Sequence, residues 1–484
     1  MIGKWLLSLV ILFASVFQHI DAATQKINPV QSNEVFVDSD RAKLFCRTMG
    51  KGEPLIVIHG GPGSTQDYLL PQLQQLAANN FVIFYDQRGC GRSTGEINPD
   101  TINIPTYVND LENIRKAFNL NKISLLGHSW GGLLAMHYAI AYPKSVDKLI
   151  LSNSMPASSE DMFIYVNEYE KRLSPYQDEL SEIHKTQAFQ EGNPEIIERF
   201  FRVIFRTFCC LTEKADLLNL HMSSSASVNG RKVNELICEK LLKTPFSLHE
   251  SLKTLEIPTL IIHGDFDPIP VMTAQNIHMS IQGSKYVLLK NCGHFPYVEN
   301  PSVYFKSLKE FLTSPRYSTT QIERRVAFDI GSGQIKMQVS DVDLKANKIV
   351  NVLLTETVPV ALRENLVKNL DGRLSLDIQN KTVDAISALM KKAAPFYPQA
   401  CHAIATEALR LAKNSDVLVK RIKNETGLAV TIVSQEEEGI LGFISAANEA
   451  DVDDVGTQAA SAIGALLSPQ YWKSATEAKL SNEL

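Results

Sequence analysis

Six short apolar runs between about residues 30 and 315 constrain the fold of this chain more than any other feature. Leu55–His59, Phe81–Tyr85, Ile123–Leu126, Lys148–Leu151, Thr259–His263 and Tyr286–Leu289 are rich in Val, Ile and Leu and run into Gly, Asp or Asn. A strand wetted on one face alternates apolar and polar residues. Continuous apolar runs suit strands covered on both faces, as in a parallel sheet. Helical spacing fills the intervals. Over Pro105–Phe118 it places Val108, Leu111, Ile114 and Phe118 on one face, and a second helix is expected over Gly131–Tyr142. This alternation predicts a doubly wound α/β domain over residues 23–315. From about 155 to 250 the chain is charged, aromatic and without strand signal, which predicts a helical cap inserted between two core strands.

The sharpest chemical signal is Gly127-His128-Ser129-Trp130-Gly131-Gly132, which follows one predicted strand and opens one predicted helix. In that context a G-x-S-x-G segment forms a strained turn that lifts the serine hydroxyl clear of the sheet. The helix N-terminus then aims its free N–H groups and dipole at the hydroxyl. His59-Gly60-Gly61-Pro62-Gly63 follows the first run and is positioned to present backbone N–H groups, so Gly61 and Trp130 are the candidate oxyanion donors. Asp267 lies in the loop His263–Pro270 and His294 in the loop Asn291–Pro296, each after a predicted strand. The order Ser129, Asp267, His294 predicts a nucleophile, an orienting carboxylate and a general base. Asp265 is the rival acid; Asp267 lies further into its loop.

The formal charge of −5 and the absence of a long basic run give no nucleic-acid signature. The seven cysteines are odd in number and show no disulfide framework, with Cys209 and Cys238 left as an open pairing. No C-x-x-C or H-x-x-x-H pair suggests a metal, and no cofactor is expected. Lys4, the apolar run Trp5–Phe17 and the small residues Ala22 and Ala23 read as a signal peptide over residues 1–22. The expectation is therefore a secreted or periplasmic protein with no membrane span after cleavage.

Here a resemblance becomes specific. His59-Gly-Gly-Pro-Gly63, Asp86-Gln-Arg-Gly-Cys-Gly-Arg-Ser93, Gly127–Gly132, Gly264–Pro270 and Cys292-Gly-His294 together resemble the proline iminopeptidases of the α/β-hydrolase superfamily. The resemblance implies an α/β-hydrolase fold with a helical cap, and a serine exopeptidase that releases N-terminal residues, often proline, from peptides. It also implies acidic cap residues that hold the free α-amine. Asn193-Pro194-Glu195-Ile-Ile-Glu198 looks like the matching segment, with Glu195 and Glu198 as the candidate substrate-binding acids. Phe200, Phe201 and Phe205 are candidates for an apolar pocket or for core packing. The Cys209-Cys210 pair departs from what is expected of that family's cap.

Residues 316–324 read as a linker, and a second unit is expected over 325–450, followed by a tail over 451–484. Val326–Gly333, Ala405–Ala412 and Val433–Gly439 resemble the exopolyphosphatase and guanosine pentaphosphate phosphatase family, which has an actin-like ATPase fold. The resemblance implies a phosphate-cradling turn at Ser332 and Gly333, with Asp329 and Glu437 or Glu438 at the matching acidic positions. The family's second phosphate loop finds only Asp454-Val-Gly-Thr457, so this unit is expected to be a partial actin-like domain, a remnant or a binding module. Three functions follow from the sequence: a serine aminopeptidase, an esterase or other acyl hydrolase of the same fold, and a polyphosphate- or nucleotide-binding, phosphatase-like protein.

Overall fold

The computed structural model describes residues 31–70, 72–314, 322–344 and 348–439. Residues 1–22, expected as a signal peptide, Asp454–Thr457 and the expected tail lie outside the described residues.

The first unit is built on an eight-stranded sheet in the order β1-β2-β4-β3-β5-β6-β7-β8. Its strands are β1 (Ser32–Ser39), β2 (Ala42–Met49), β3 (Glu53–Ile58), β4 (Asn80–Tyr85), β5 (Ile123–His128), β6 (Val146–Ser152), β7 (Thr259–Gly264) and β8 (Lys285–Leu289). All six predicted strands are present, and β4, β3, β5, β6, β7 and β8 pair in parallel. The alternation within each run shows why both faces had to be apolar. Ile56, Ile58, Leu125, Leu149 and Ile261 pack with the helices Ile104–Ala117 and Trp130–Ala141. Leu55, Val57, Leu126, Ile150 and Ile262 pack on the other face against Tyr304, Leu308 and Phe311 of the helix Pro301–Thr313. Burying such side chains on both faces stabilises the sheet by roughly 1.5–3 kcal/mol each.

The antiparallel hairpin β1–β2, paired from Ser32↔Met49 to Ser39↔Ala42, had no sequence signal. It turns at Asp40-Arg41, with Arg41 at φ 56°, and most of β1 is exposed. Between β6 and β7 the chain forms helices, including Ser159–Leu173, Gln177–Lys185, Pro194–Arg206 and Ser224–Lys243.

The second unit is a five-stranded sheet in the order β11-β10-β9-β12-β13. Its strands are β9 (Ile322–Ile330), β10 (Gln334–Asp343), β11 (Lys348–Pro359), β12 (Ala400–Ala405) and β13 (Val430–Ile432). The first three form an antiparallel meander, and β12 and β13 add in parallel. The helices Leu376–Ala393 and Ser415–Thr426 complete its core. Here the structure corrects a boundary: β9 begins at Ile322, so residues 322–324, expected in the linker, are ladder residues paired with β10. The cause is long-range. Arg324 is buried and forms a two-pronged pair with Asp341, at 2.7 and 3.2 Å.

That pair also joins the two units. Arg324 Nη1 donates to the carbonyls of Met279 and Phe396, and Asp341 accepts from the N–H of Gly283 at 3.3 Å. Asn351 donates to the Ser284 carbonyl at 2.6 Å. The contacted segment, 279–284, leads from the helix Val271–Ser280 into β8.

Candidate active site

Ser129 sits on the turn between β5 and the helix Trp130–Ala141, with φ 57° and ψ −123°. A left-handed φ at a residue with a Cβ costs about 1–3 kcal/mol and persists only where neighbours enforce it. The neighbours are visible. The Ser129 N–H donates to the Ser152 carbonyl at 3.1 Å, and the Ser129 carbonyl accepts from Gly132 and Met155, both at 2.9 Å. Gly131 is glycine of necessity, because a Cβ there would lie 2.2 Å from the Ile58 carbonyl oxygen at the end of β3. In the run Ile123–Trp130 every residue but Ser129 is buried. As the first residue of its helix, Trp130 has an N–H without a partner in the helix ladder.

The loop after β3 closes on the same point. A Cβ on Gly60 would lie 2.6 Å from the Ser129 Cβ, which puts the Gly60 backbone directly against the serine. Gly61 itself has φ 49°. The loop is held by Gln87, which donates to the His59 carbonyl at 2.7 Å and accepts from the Trp130 indole at 2.8 Å. Gln87 therefore braces the loop His59–Gly63 against the Ser129 turn.

Asp267 and His294 meet across two loops. His294 Nδ1 lies 2.9 Å from Asp267 Oδ2, and both side chains are buried. Because the carboxylate only accepts, the ring proton sits on Nδ1, which leaves Nε2 as the free lone pair. Asp267 also accepts from Asn153 Nδ2 at 2.6 Å and from the Ile269 N–H at 2.8 Å. Burial alone would raise its pKa. The charge of His294 and the hydrogen bonds from His294 and Asn153 outweigh that and hold the carboxyl below its ordinary value. Asp265 is only partly buried and accepts instead from the Cys292 N–H at 3.3 Å.

The side chains of Ser129 and His294 are not hydrogen-bonded to each other. Their loops are joined through His128, whose Nε2 lies 2.8 Å from the His294 carbonyl oxygen. In unliganded sites such nucleophile–base contacts are often long and tighten around substrate. The His294 N–H donates to the Phe208 carbonyl at 2.8 Å, so the helical insertion also holds the His294 loop. Sequence reasoning passed over Tyr68, His128 (as a side chain), Asn153, Glu299 and the Gln87 brace. Glu299 accepts from the N–H groups of Cys210, Gly293 and Phe295, at 2.7, 3.0 and 3.1 Å. Only the positive φ of Asn153, 46°, hints at a special role, and it is not visible in sequence.

A row of rings covers the site from the cap. Phe208 stands edge-on to His294 at 5.1 Å, Tyr169 to Phe208 at 5.6 Å, and Tyr165 lies 5.9 Å from Tyr169. Phe205 contacts both Phe208 and Phe295, at 5.6 and 5.0 Å. Burial, with Tyr169 and the Asp267 charge adding to it, drives the Tyr165 phenol well above its usual value. The predicted acids behave differently. Glu195 is exposed, and Glu198 is bound to Arg202 at 2.5 Å, which in turn holds the Ala215 carbonyl at 3.0 Å. Both belong to a charged arc of the helix Pro194–Arg206 that lines a groove with Glu179, Arg199 and Arg206. No hydrogen bond, ion pair or ring contact ties either acid to Ser129, Asp267 or His294; Glu198 is engaged by Arg202, while the Glu195 carboxylate is exposed.

All seven cysteines, Cys209 and Cys238 included, are free thiols. Among the described residues no cluster of His, Cys, Asp and Glu could hold a metal, and no helix is long and apolar enough to cross a membrane. In the second unit the turn after β9 leaves open space at Gly333. Asp329 keeps a buried, unpartnered Oδ1, and its pKa is raised by burial. Glu438 is paired with Arg410 at 3.2 Å, while Glu437 accepts from the Ser434 N–H at 2.7 Å.

A serine on a strained strand–helix turn after β5 and an imidazole held by a carboxylate, on the loops after β8 and β7, accompany this sheet. Residues 53–301 match the alpha/beta hydrolase fold family, and the chain belongs to that family. The proline iminopeptidase of Saccharolobus solfataricus is 30% identical over 284 residues, which span 56% of this chain and 87% of that protein. The proline iminopeptidase of Clostridioides difficile is 31% identical over 288 residues, spanning 56% of this chain and 95% of that one. A solved proline iminopeptidase structure from Mycobacterium smegmatis is 22% identical, covers 58% of this chain and 97% of its own, and superposes with a TM-score of 0.45. Residues 340–456 match the Ppx/GppA phosphatase family.

Proposed function

We propose that this chain is a serine aminopeptidase that releases N-terminal residues, proline among them, from short peptides through an acyl-enzyme. The observation that carries the reading is the 2.9 Å hydrogen bond that presents His294, Nε2 free, in the loop tied to the nucleophile turn. In the proposed sequence Ser129 Oγ attacks the first carbonyl carbon of the peptide as His294 Nε2 takes its proton. Asp267 stabilises the imidazolium without itself becoming protonated. The N–H groups of Gly61 and Trp130 receive the oxyanion, each such donor lowering the barrier by about 2.7–4 kcal/mol. His294 returns the proton to the departing amine, and water, activated by the same Nε2, then frees Ser129.

The rings of Phe208, Phe205 and Tyr169 form an apolar wall that suits a pyrrolidine ring. The same wall suits a simple acyl chain, and Glu198 is already neutralised by Arg202, which favours the esterase reading as the rival. A substrate panel on the full chain separates the two. Faster turnover of a prolyl amide with a free amine than of its N-acetylated form supports the aminopeptidase. Turnover of short-chain esters with none of prolyl amides refutes it.

A further inference from the structure

Tyr68 and His128 lie beneath the site and belong to none of the predicted machinery. The hydroxyl of Tyr68 accepts from the Gly60 N–H at 2.7 Å and lies 2.7 Å from His128 Nδ1. His128 Nε2 lies 2.8 Å from the His294 carbonyl oxygen. The direction of each bond follows from chemistry. A carbonyl oxygen only accepts, so His128 carries its proton on Nε2. Its Nδ1 is then an acceptor, and the Tyr68 hydroxyl, which already receives a proton from Gly60, must donate to it. The result is a one-way line: Gly60 N–H to Tyr68 O–H to His128 Nδ1, and His128 Nε2–H to the His294 carbonyl.

We infer that Tyr68 and His128 are positioning residues that lock the oxyanion loop, the nucleophile turn and the general base in one register. This inference rests on the serine-hydrolase reading above. The line touches all three parts at adjacent atoms: Gly60 precedes the donor Gly61, His128 precedes Ser129, and the His294 carbonyl belongs to the base itself. Neighbouring bonds in a buried, low-dielectric chain polarise one another and fix geometry more firmly than isolated ones. A shift of about 1 Å at such groups costs on the order of 10²-fold in rate.

The surroundings keep His128 neutral. Its ring is enclosed by Tyr68, His294, Phe295 and Tyr297, at centroid distances of 5.6, 4.7, 5.8 and 5.7 Å. Burial, reinforced by the nearby His294, pulls its pKa down to about 3, against smaller opposing contributions from the His294 carbonyl and Asp267. A neutral neighbour does not oppose the positive charge that His294 acquires in each cycle.

The test uses the full chain with Tyr68→Phe, which removes one oxygen and preserves the ring. Active sites are counted by phosphonate titration of Ser129, so that misfolded protein does not enter kcat. The expected result is a kcat per titrated site at least about tenfold lower, with KM within about twofold, because only transition-state alignment is lost. A merely structural role would lower the titrated fraction or the melting temperature and leave kcat per site intact, which overturns the inference. Should Tyr68→Phe not fold, histidine-labelled nitrogen NMR of the wild-type chain decides. A proton on His128 Nε2 that persists to pH 5 upholds the line, and a proton on Nδ1 overturns it. Wild-type Ser129 that takes no phosphonate would instead sink the serine-hydrolase reading.

Discussion

His294 Nδ1 and Asp267 Oδ2 lie 2.9 Å apart although their loops follow different strands. The pairing is over-determined. Asn153 donates to the same carboxylate oxygen and also to the Gly293 carbonyl at 3.0 Å, one residue before the histidine. One amide thus ties the acid loop to the base loop, and it projects from the residue that follows β6.

Asp267→Asn tests the tautomer argument. The amide can still accept from Ile269, but it no longer requires the proton of His294 to sit on Nδ1. The expected outcome is a fall in kcat of about 10³–10⁴-fold, with substrate binding little changed. Steady-state kinetics on the purified variant, with near-ultraviolet circular dichroism as the folding control, checks it.

Stability is expected to fall with acid below about pH 6.5, and the histidines set the sign. Burial lowers the pKa of His59, His128, His137, His263 and His278, to about 3 for His128 and about 4 for His137 and His278. Below about pH 6.5 the unfolded chain takes these protons while the folded chain refuses them, so stability declines as pH drops toward 4. The raised carboxyls of Asp110 and Glu299 oppose the trend, since acid relieves their burial. His137 isolates one contribution, because its Nε2 is buried without a hydrogen-bond partner. His137→Leu is expected to narrow the gap between melting temperatures at pH 7 and pH 5. Thermal scans at the two pH values measure it.

The two units are expected to be energetically coupled at Arg324. Arg324→Ala leaves Asp341 buried without its guanidinium and strips donors from the carbonyls of Met279 and Phe396. Removing one partner of a buried pair costs about 3–5 kcal/mol. The loss is expected in the denaturant stability of the second unit, accompanied by faster amide exchange at residues 279–284 of the first. Hydrogen exchange followed by mass spectrometry reads both.

What was legible in the sequence follows from local physics. The parallel strands announced themselves because burial on both faces demands unbroken apolar runs, and the strand–helix turn at Gly127–Gly132 because its glycines admit no Cβ. The hairpin β1–β2 left no such trace: β1 lies at the sheet edge, and its residues 32–36 are exposed. The start of β9 was hidden because Arg324 is drawn into the ladder by Asp341, a partner 17 positions away. Tyr68, Asn153 and Glu299 are ordinary residues locally and acquire roles only through partners far along the chain. The choice of Glu195 and Glu198 came from resemblance alone. Helical spacing puts them on one arc with Arg199, Arg202 and Arg206, whereas Phe201 and Phe205 turn toward the core.

Ser129 is proposed as the nucleophile of this site. The most direct measurement is turnover of a prolyl amide reporter by the full chain carrying Ser129→Ala. A loss of about 10⁴-fold or more is expected, with an unchanged melting profile. Turnover within a few-fold of wild type, in a folded variant, would contradict it.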